Sequence, residues 1–161
     1  MTKSEFYETV INSVRPGEVL IGMAPADKLD WKPGPSFMNV GQLLCHLSDG
    51  VGGGIESLLS GKWPPMEEME AAMKLENMPS CGVQEALDKL EKDKQVLQSA
   101  LESISEADFT NRVVSVPWGW NSKLEIMGVA FLGHFNNHKM QLFTYLKLLG
   151  LPVNTETLYG A

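Results

Sequence analysis

The chain has 161 residues, 43% of them hydrophobic, and its 20 acidic against 13 basic residues give a formal net charge of −7. That length and apolar content predict one domain, residues 1–161, around one core. The negative charge removes any long-range attraction to phosphate backbones or anionic lipid, and no run approaches the roughly 18 apolar residues of a membrane span, so neither nucleic acid nor membrane is an expected partner.

From the N-terminus, Thr2 and Glu5 form a capping-box pair, followed by Phe6, Val10 and Val14 at helical spacing. This start is polar and amphipathic, without the apolar stretch of a secretory leader. The only two cysteines, Cys45 and Cys81, could form one bridge but not a disulfide framework. Together these features predict a reduced, cytoplasmic protein. Pro16 and Gly17 are expected to interrupt or restart the first helix. The segment from Pro25 to Phe37, with three prolines, a glycine and Trp31, reads as a loop.

A second helix is predicted from Asn39, where Asn39 and Gln42 repeat the cap-plus-three pattern. Val40, Leu43, Leu47, Val51, Ile55 and Leu58 follow at core spacing. Gly50 and Gly52 to Gly54 weaken it, by roughly 1 kcal/mol each relative to alanine, but the apolar spacing runs through them. The connection from Gly61 to Gly82 is unusually long for a small bundle, with one short helix near Glu67 to Lys74, and suggests a crossover or a lid.

Ser80 can cap the third helix, whose stripe is Val83, Leu87, Leu90, Lys94, Leu97, Leu101 and Ile104, with Lys94 the polar exception. Its mixed charges mark a solvated face. Val113, Val114 and Val116 look extended, and Pro117 and Gly119 form a turn. Asn121 or Ser122 caps a fourth helix running to about Leu149, ended by Gly150 and Pro152. Four apolar stripes, none able to bury itself alone, predict an all-α four-helix bundle.

The chain has three histidines. His134 and His138 are one turn apart in the fourth helix, within the line Leu124, Met127, Phe131, His134, His138, Leu142, Tyr145 and Leu149, so both rings are expected to point with the core residues. His46 lies on the edge of the second-helix stripe. If those helices are neighbours, three imidazoles converge, a donor set suited to zinc, nickel or ferrous iron with a position left open. Asp49, one turn beyond His46, could orient that ring or become a ligand itself. Hydrogen-bonded core histidines without an ion would read the same way in the sequence.

Three stretches then resemble the DinB/YfiT-like superfamily: NVGQLLCHLSD around His46, VPWGWNSKLE before the fourth helix, and HFNNHKMQLFTYLKLLG from His134. The likeness runs from the second helix to the C-terminus and is strongest in the last quarter. It implies a left-handed four-helix bundle with up-down-down-up connectivity, often paired into a homodimer. It also implies a divalent metal on His46, His134 and His138. Family members often have Arg-Gly-Gln after the last histidine; here the residues are Lys139, Met140 and Gln141, and only Gln141 matches.

Characterised branches of the family are thiol-dependent transferases and isomerases, which implies a low-molecular-weight thiol as cosubstrate. A metal-dependent hydrolase, a non-catalytic protein that binds a small ligand or a partner, and a metal-free bundle are the competing readings. No nucleophile elbow, nucleotide-binding glycine loop or paired-carboxylate signature is present, and no catalytic side chain is assigned. Trp118, Trp120 and Gln141 are candidate pocket residues. Trp31 and Trp63 are expected to cover the bundle ends, and Cys45 to be a buried apolar residue.

Overall fold

The computed structural model describes residues 1–160. Helix α1 (Lys3–Gly22) begins at the expected capping box, with Thr2 Oγ1 accepting from the Glu5 amide at 3.1 Å and Glu5 Oε2 from the Thr2 amide at 2.7 Å. It does not stop at Pro16. Interior proline costs a helix about 3 kcal/mol in isolation, but here Pro16 and Gly17 are both buried. A Cβ added at Gly17 would meet the Phe135 ring tip at 2.9 Å, so the glycine lets that ring pack onto the helix.

The expected second helix is two helices, α2 (Val40–Ser48) and α3 (Gly52–Ser60). Asn39 and Gln42 cap α2 reciprocally. The break is made by a residue distant in sequence: Asp93 takes the amide protons of Gly52 on Oδ2 and Gly53 on Oδ1, each at 2.8 Å. A carboxylate at the start of α3 satisfies donors that would otherwise be orphaned. Side chains at Gly50 or Gly52 would collide with Asp93, so these glycines permit the close approach.

Helix α4 (Met66–Ala72) and a 3₁₀ turn (Leu75–Asn77) occupy the long connection. Helix α5 (Val83–Glu102) starts at Gly82 and not at Ser80. Cys81 is engaged just before it, its amide donating to the Gly41 carbonyl at 3.0 Å and its side chain bonded to Cys45 in a disulfide with Cα atoms 4.9 Å apart. The expectation of two separate thiols is therefore corrected. Lys94, the polar exception on the α5 stripe, reaches Glu18 of α1 at 2.7 Å and Glu91 at 2.5 Å, which explains how it sits among apolar neighbours.

After α6 (Glu106–Asn111), strands β1 (Val113–Ser115) and β2 (Asn121–Lys123) form an antiparallel hairpin with Val114 opposite Ser122. Asn121 and Ser122 are thus strand residues, not caps. Helix α7 (Leu124–Leu148) has no side-chain cap; its first amide donates to the Arg112 carbonyl at 2.9 Å. At its other end Gly150, with φ +84°, closes the helix: its amide bonds Lys147, and the Leu151 amide bonds Leu146. Helix α8 (Thr155–Tyr159) packs on α1.

The class is all-α, but the described residues hold eight α-helices and a two-stranded hairpin instead of four simple rods. Helix α1 packs against both α5 and α7, and so do α2 and α3. Phe6, Leu20, Leu43, Leu47, Leu90, Leu97, Phe109 and Leu124 are among the fully enclosed core side chains. None of the described helices is long and apolar enough to cross a membrane.

Candidate metal centre

Helices α2 and α7 are neighbours, and that contact brings all three histidines together. Ring centroids are 4.4 Å apart for His46 and His138, 4.5 Å for His134 and His138, and 5.0 Å for His46 and His134. One nitrogen from each ring lies within 4.8 Å of the others. The Nε2 atoms of His46 and His134 are 2.9 Å apart. Three nitrogens at a tetrahedral zinc, with bonds of about 2.0–2.1 Å, would be about 3.3 Å apart. The observed spacing brackets that value, so a site capable of holding a divalent ion is present.

The rings are not fully in the core. The enclosed face of α7 runs through Leu124, Met127, Gly128, Leu132, Phe135, Lys139 and Leu142. His134 is exposed, and His46 and His138 are half-buried. The cluster therefore sits on the edge of the buried stripe and opens to solvent on the His134 side. Burial, and next the neighbouring His138 and His134, push the His46 ring down to about 4. Burial, then His138, lowers His134 as well. Loss of hydration penalises the charged ring, so both favour the neutral form that ligates a metal.

His138 is held by a relay that fixes its tautomer. The Tyr145 hydroxyl donates to the Met38 carbonyl at 3.1 Å, and a carbonyl cannot return a proton. Tyr145 Oη must then accept, at 2.9 Å, from Gln141 Nε2. That orients the amide with Oε1 toward His138 Nδ1, 2.9 Å away. Nδ1 therefore carries the proton and Nε2 keeps its lone pair. Trp31 stands edge-on to Tyr145, with centroids 5.5 Å apart, and buttresses the far end.

Gln141 thus holds the His138 ring in place, while Asp49 does not orient His46. Among the described residues Asp49 makes no hydrogen bond to His46, and its carboxyl is raised first by burial and then by Asp93, with Lys89 opposing. Trp118 and Trp120 are on the hairpin turn, exposed, with Trp118 edge-on to Trp63 at 5.5 Å. Helix α7 starts at Leu124, ten residues before His134, or about 15 Å along the axis. Cys45 is turned into the core, and Lys89 Nζ lies 3.3 Å from each disulfide sulfur. Tyr145 and Met38 were missed as parts of the site. The i, i+3 step from His138 to Gln141 and the i, i+4 step from Gln141 to Tyr145 were the available signal.

The family model of the DinB superfamily matches residues 18–142, a span that includes all three histidines. A protein described as a member of the DinB family from Exiguobacterium sibiricum is 21% identical, with 96% of each chain covered and a TM-score of 0.71. A DinB-like protein from Bacillus cereus is 17% identical over 95% of this chain and 96% of that one, with a TM-score of 0.73. At those identities the two structures speak to the fold alone. Among curated proteins none matches this chain.

Proposed function

The chain belongs to the DinB superfamily, and from that footing we propose that it is a metal-dependent enzyme whose ion is held by His46, His134 and His138. The observation that carries this reading is the convergence of three imidazoles from α2 and α7 on a solvent-open edge. A bound divalent ion on three neutral ligands keeps its full charge and lowers the pKa of a coordinated water or thiol. Zinc, nickel and ferrous iron all suit the donor set.

The chain's own residues supply position more than reactivity. No serine, cysteine or carboxylate among the described residues hydrogen-bonds to the three rings, and Cys45 is committed to Cys81. A nucleophile from outside fits such a site, and we assign it to a small thiol, which makes the reaction an S-transfer or isomerisation; water in its place would make a hydrolase. Gln141 and Tyr145 hold His138 in the ligating tautomer, and the half-buried rings limit access to the His134 side.

The reading extends to a single domain with the family's left-handed, up-down-down-up bundle formed by α1, the α2–α3 pair, α5 and α7. It also includes a homodimer, while the Cys45–Cys81 bond removes the reduced-cysteine support for a cytoplasmic location. Exposed Ile126, Val129 and Leu148 on α7 support an apolar contact between copies. The deciding experiment is elemental analysis of tag-free protein after dialysis, with wild type and His138→Ala side by side. One transition metal per chain in the wild type, lost in the variant, is expected. No retained metal, or equal retention by His138→Ala, defeats the assignment. Thiol consumption with a panel of alkyl electrophiles then separates transferase from hydrolase.

A further inference from the structure

We propose that a second binding site, independent of the histidines, lies between α1, α7 and α8 and takes the carboxylate head of a small organic acid. Its centre is Lys139. Lysine is almost never fully buried without a partner, yet Lys139 is only 6% exposed. Its Nζ donates to the Ser13 carbonyl at 3.2 Å, and none of the ion pairs among the described residues includes it. Its stem packs beside Gly17, with Cδ 3.8 Å from where a Cβ would be, and carries the ammonium one turn back along α1 toward Ser13.

Ser13 and Lys139 are both in the wall of a hollow of ≈ 590 Å³, a size suited to a small molecule. Asn12 and Asn136 add amide groups to the same wall, Tyr159 contributes an aromatic ring, and no carboxylate lines it. One cation among neutral amides balances one negative charge. A dianionic phosphate would leave an excess charge in a partly desolvated space, so a carboxylate is the better match. The Tyr159 ring, 65% exposed, offers an apolar surface for the acid's tail. Adjacent helical residues are turned about 100° apart, so Lys139 and His138 serve different faces of α7.

The probe is 4-phenylbutyrate, titrated into the full chain and followed by NMR at the side-chain amides of Asn12 and Asn136. Saturable shifts are expected, with 4-phenylbutyramide producing none and inorganic phosphate binding more weakly. Lys139→Met should weaken binding at least about tenfold. Exposed Asn12→Ala should weaken it about threefold, and it decides the matter alone if the lysine variant does not fold. Shifts that never saturate, equal binding of the neutral amide, tighter binding of phosphate, or unchanged affinity in these variants would overturn the site.

Discussion

Replacing Gln141 by leucine leaves an apolar side chain one atom shorter and removes both of its bonds, the one to His138 Nδ1 and the one to Tyr145 Oη, each 2.9 Å. Without an acceptor at Nδ1 the His138 ring is free to rotate and to move its proton to Nε2, the atom that must stay bare. Loss of such a supporting partner lowers metal affinity about 10- to 100-fold, or about 1.4–2.8 kcal/mol. Tyr145→Phe acts differently. It strands the Met38 carbonyl, which costs about 1–3 kcal/mol of stability, but leaves Gln141 able to accept from His138, so affinity should change less than about threefold. Gln141→Glu keeps an acceptor at Nδ1 and should retain most of the affinity. The assay is zinc competition against a chromogenic chelator, with urea unfolding of the metal-free proteins run in parallel. Unchanged zinc affinity in Gln141→Leu, or a larger loss in Tyr145→Phe than in Gln141→Leu, would refute the tautomer argument.

Acid should weaken the metal-free protein through His46. Its folded-state value, about 4, is below the ordinary 6.5, so the unfolded chain binds the extra proton first. That contribution is complete above about pH 6.5 and disappears as pH falls toward 4; thermal melts across this window should show a shallower pH slope for His46→Gln, and equal slopes would count against the assignment. Asp93→Ala removes the acceptor for two α3 amides and should cost about 0.5–2 kcal/mol in urea unfolding, with Asp93→Asn recovering part; no measurable cost in Asp93→Ala would contradict the capping role. The Cys45–Cys81 bond spans 36 residues, a loop whose closure is worth about 3–4 kcal/mol. Protein unfolded without reductant should show no free thiols, and dithiothreitol should lower the urea midpoint of the wild type but not of a Cys45→Ala, Cys81→Ala double variant.

What could be read from the sequence was whatever rests on local periodicity and capping. Thr2 with Glu5, Asn39 with Gln42, and the i, i+4 histidines all involve groups within one helical turn. What escaped it depends on a partner far along the chain. The glycines after Asp49 could equally be a kinked helix or two helices until Asp93, 41 residues from Gly52, supplies the second cap. Ser122 met the requirements of a cap but pairs with Val114 instead. Pro16 signals a stop only if the lost hydrogen bond outweighs packing, and the Phe135 contact across Gly17 reverses that balance. Lys139 was grouped with its sequence motif and not with the core, because a lysine gives no periodic signal of burial.

The same distinction separates the two sides of the histidine cluster. His138 is tied through Gln141 and Tyr145 to the Met38 carbonyl, which immediately precedes the Asn39 cap of α2. The relay therefore links the helix that carries two of the rings to the start of the helix that carries the third. A displacement of α2 along α7 would have to break the Tyr145 bond before it could separate His46 from His138. His134 has no comparable support: it is exposed, and its one side-chain polar contact is the His46 ring. The cluster thus has one ring held in both orientation and tautomer, and one free to adjust at the solvent edge. That asymmetry, one ring fixed and one open to solvent, is what the proposed metal-dependent function needs: a side that holds an ion and a side that stays accessible.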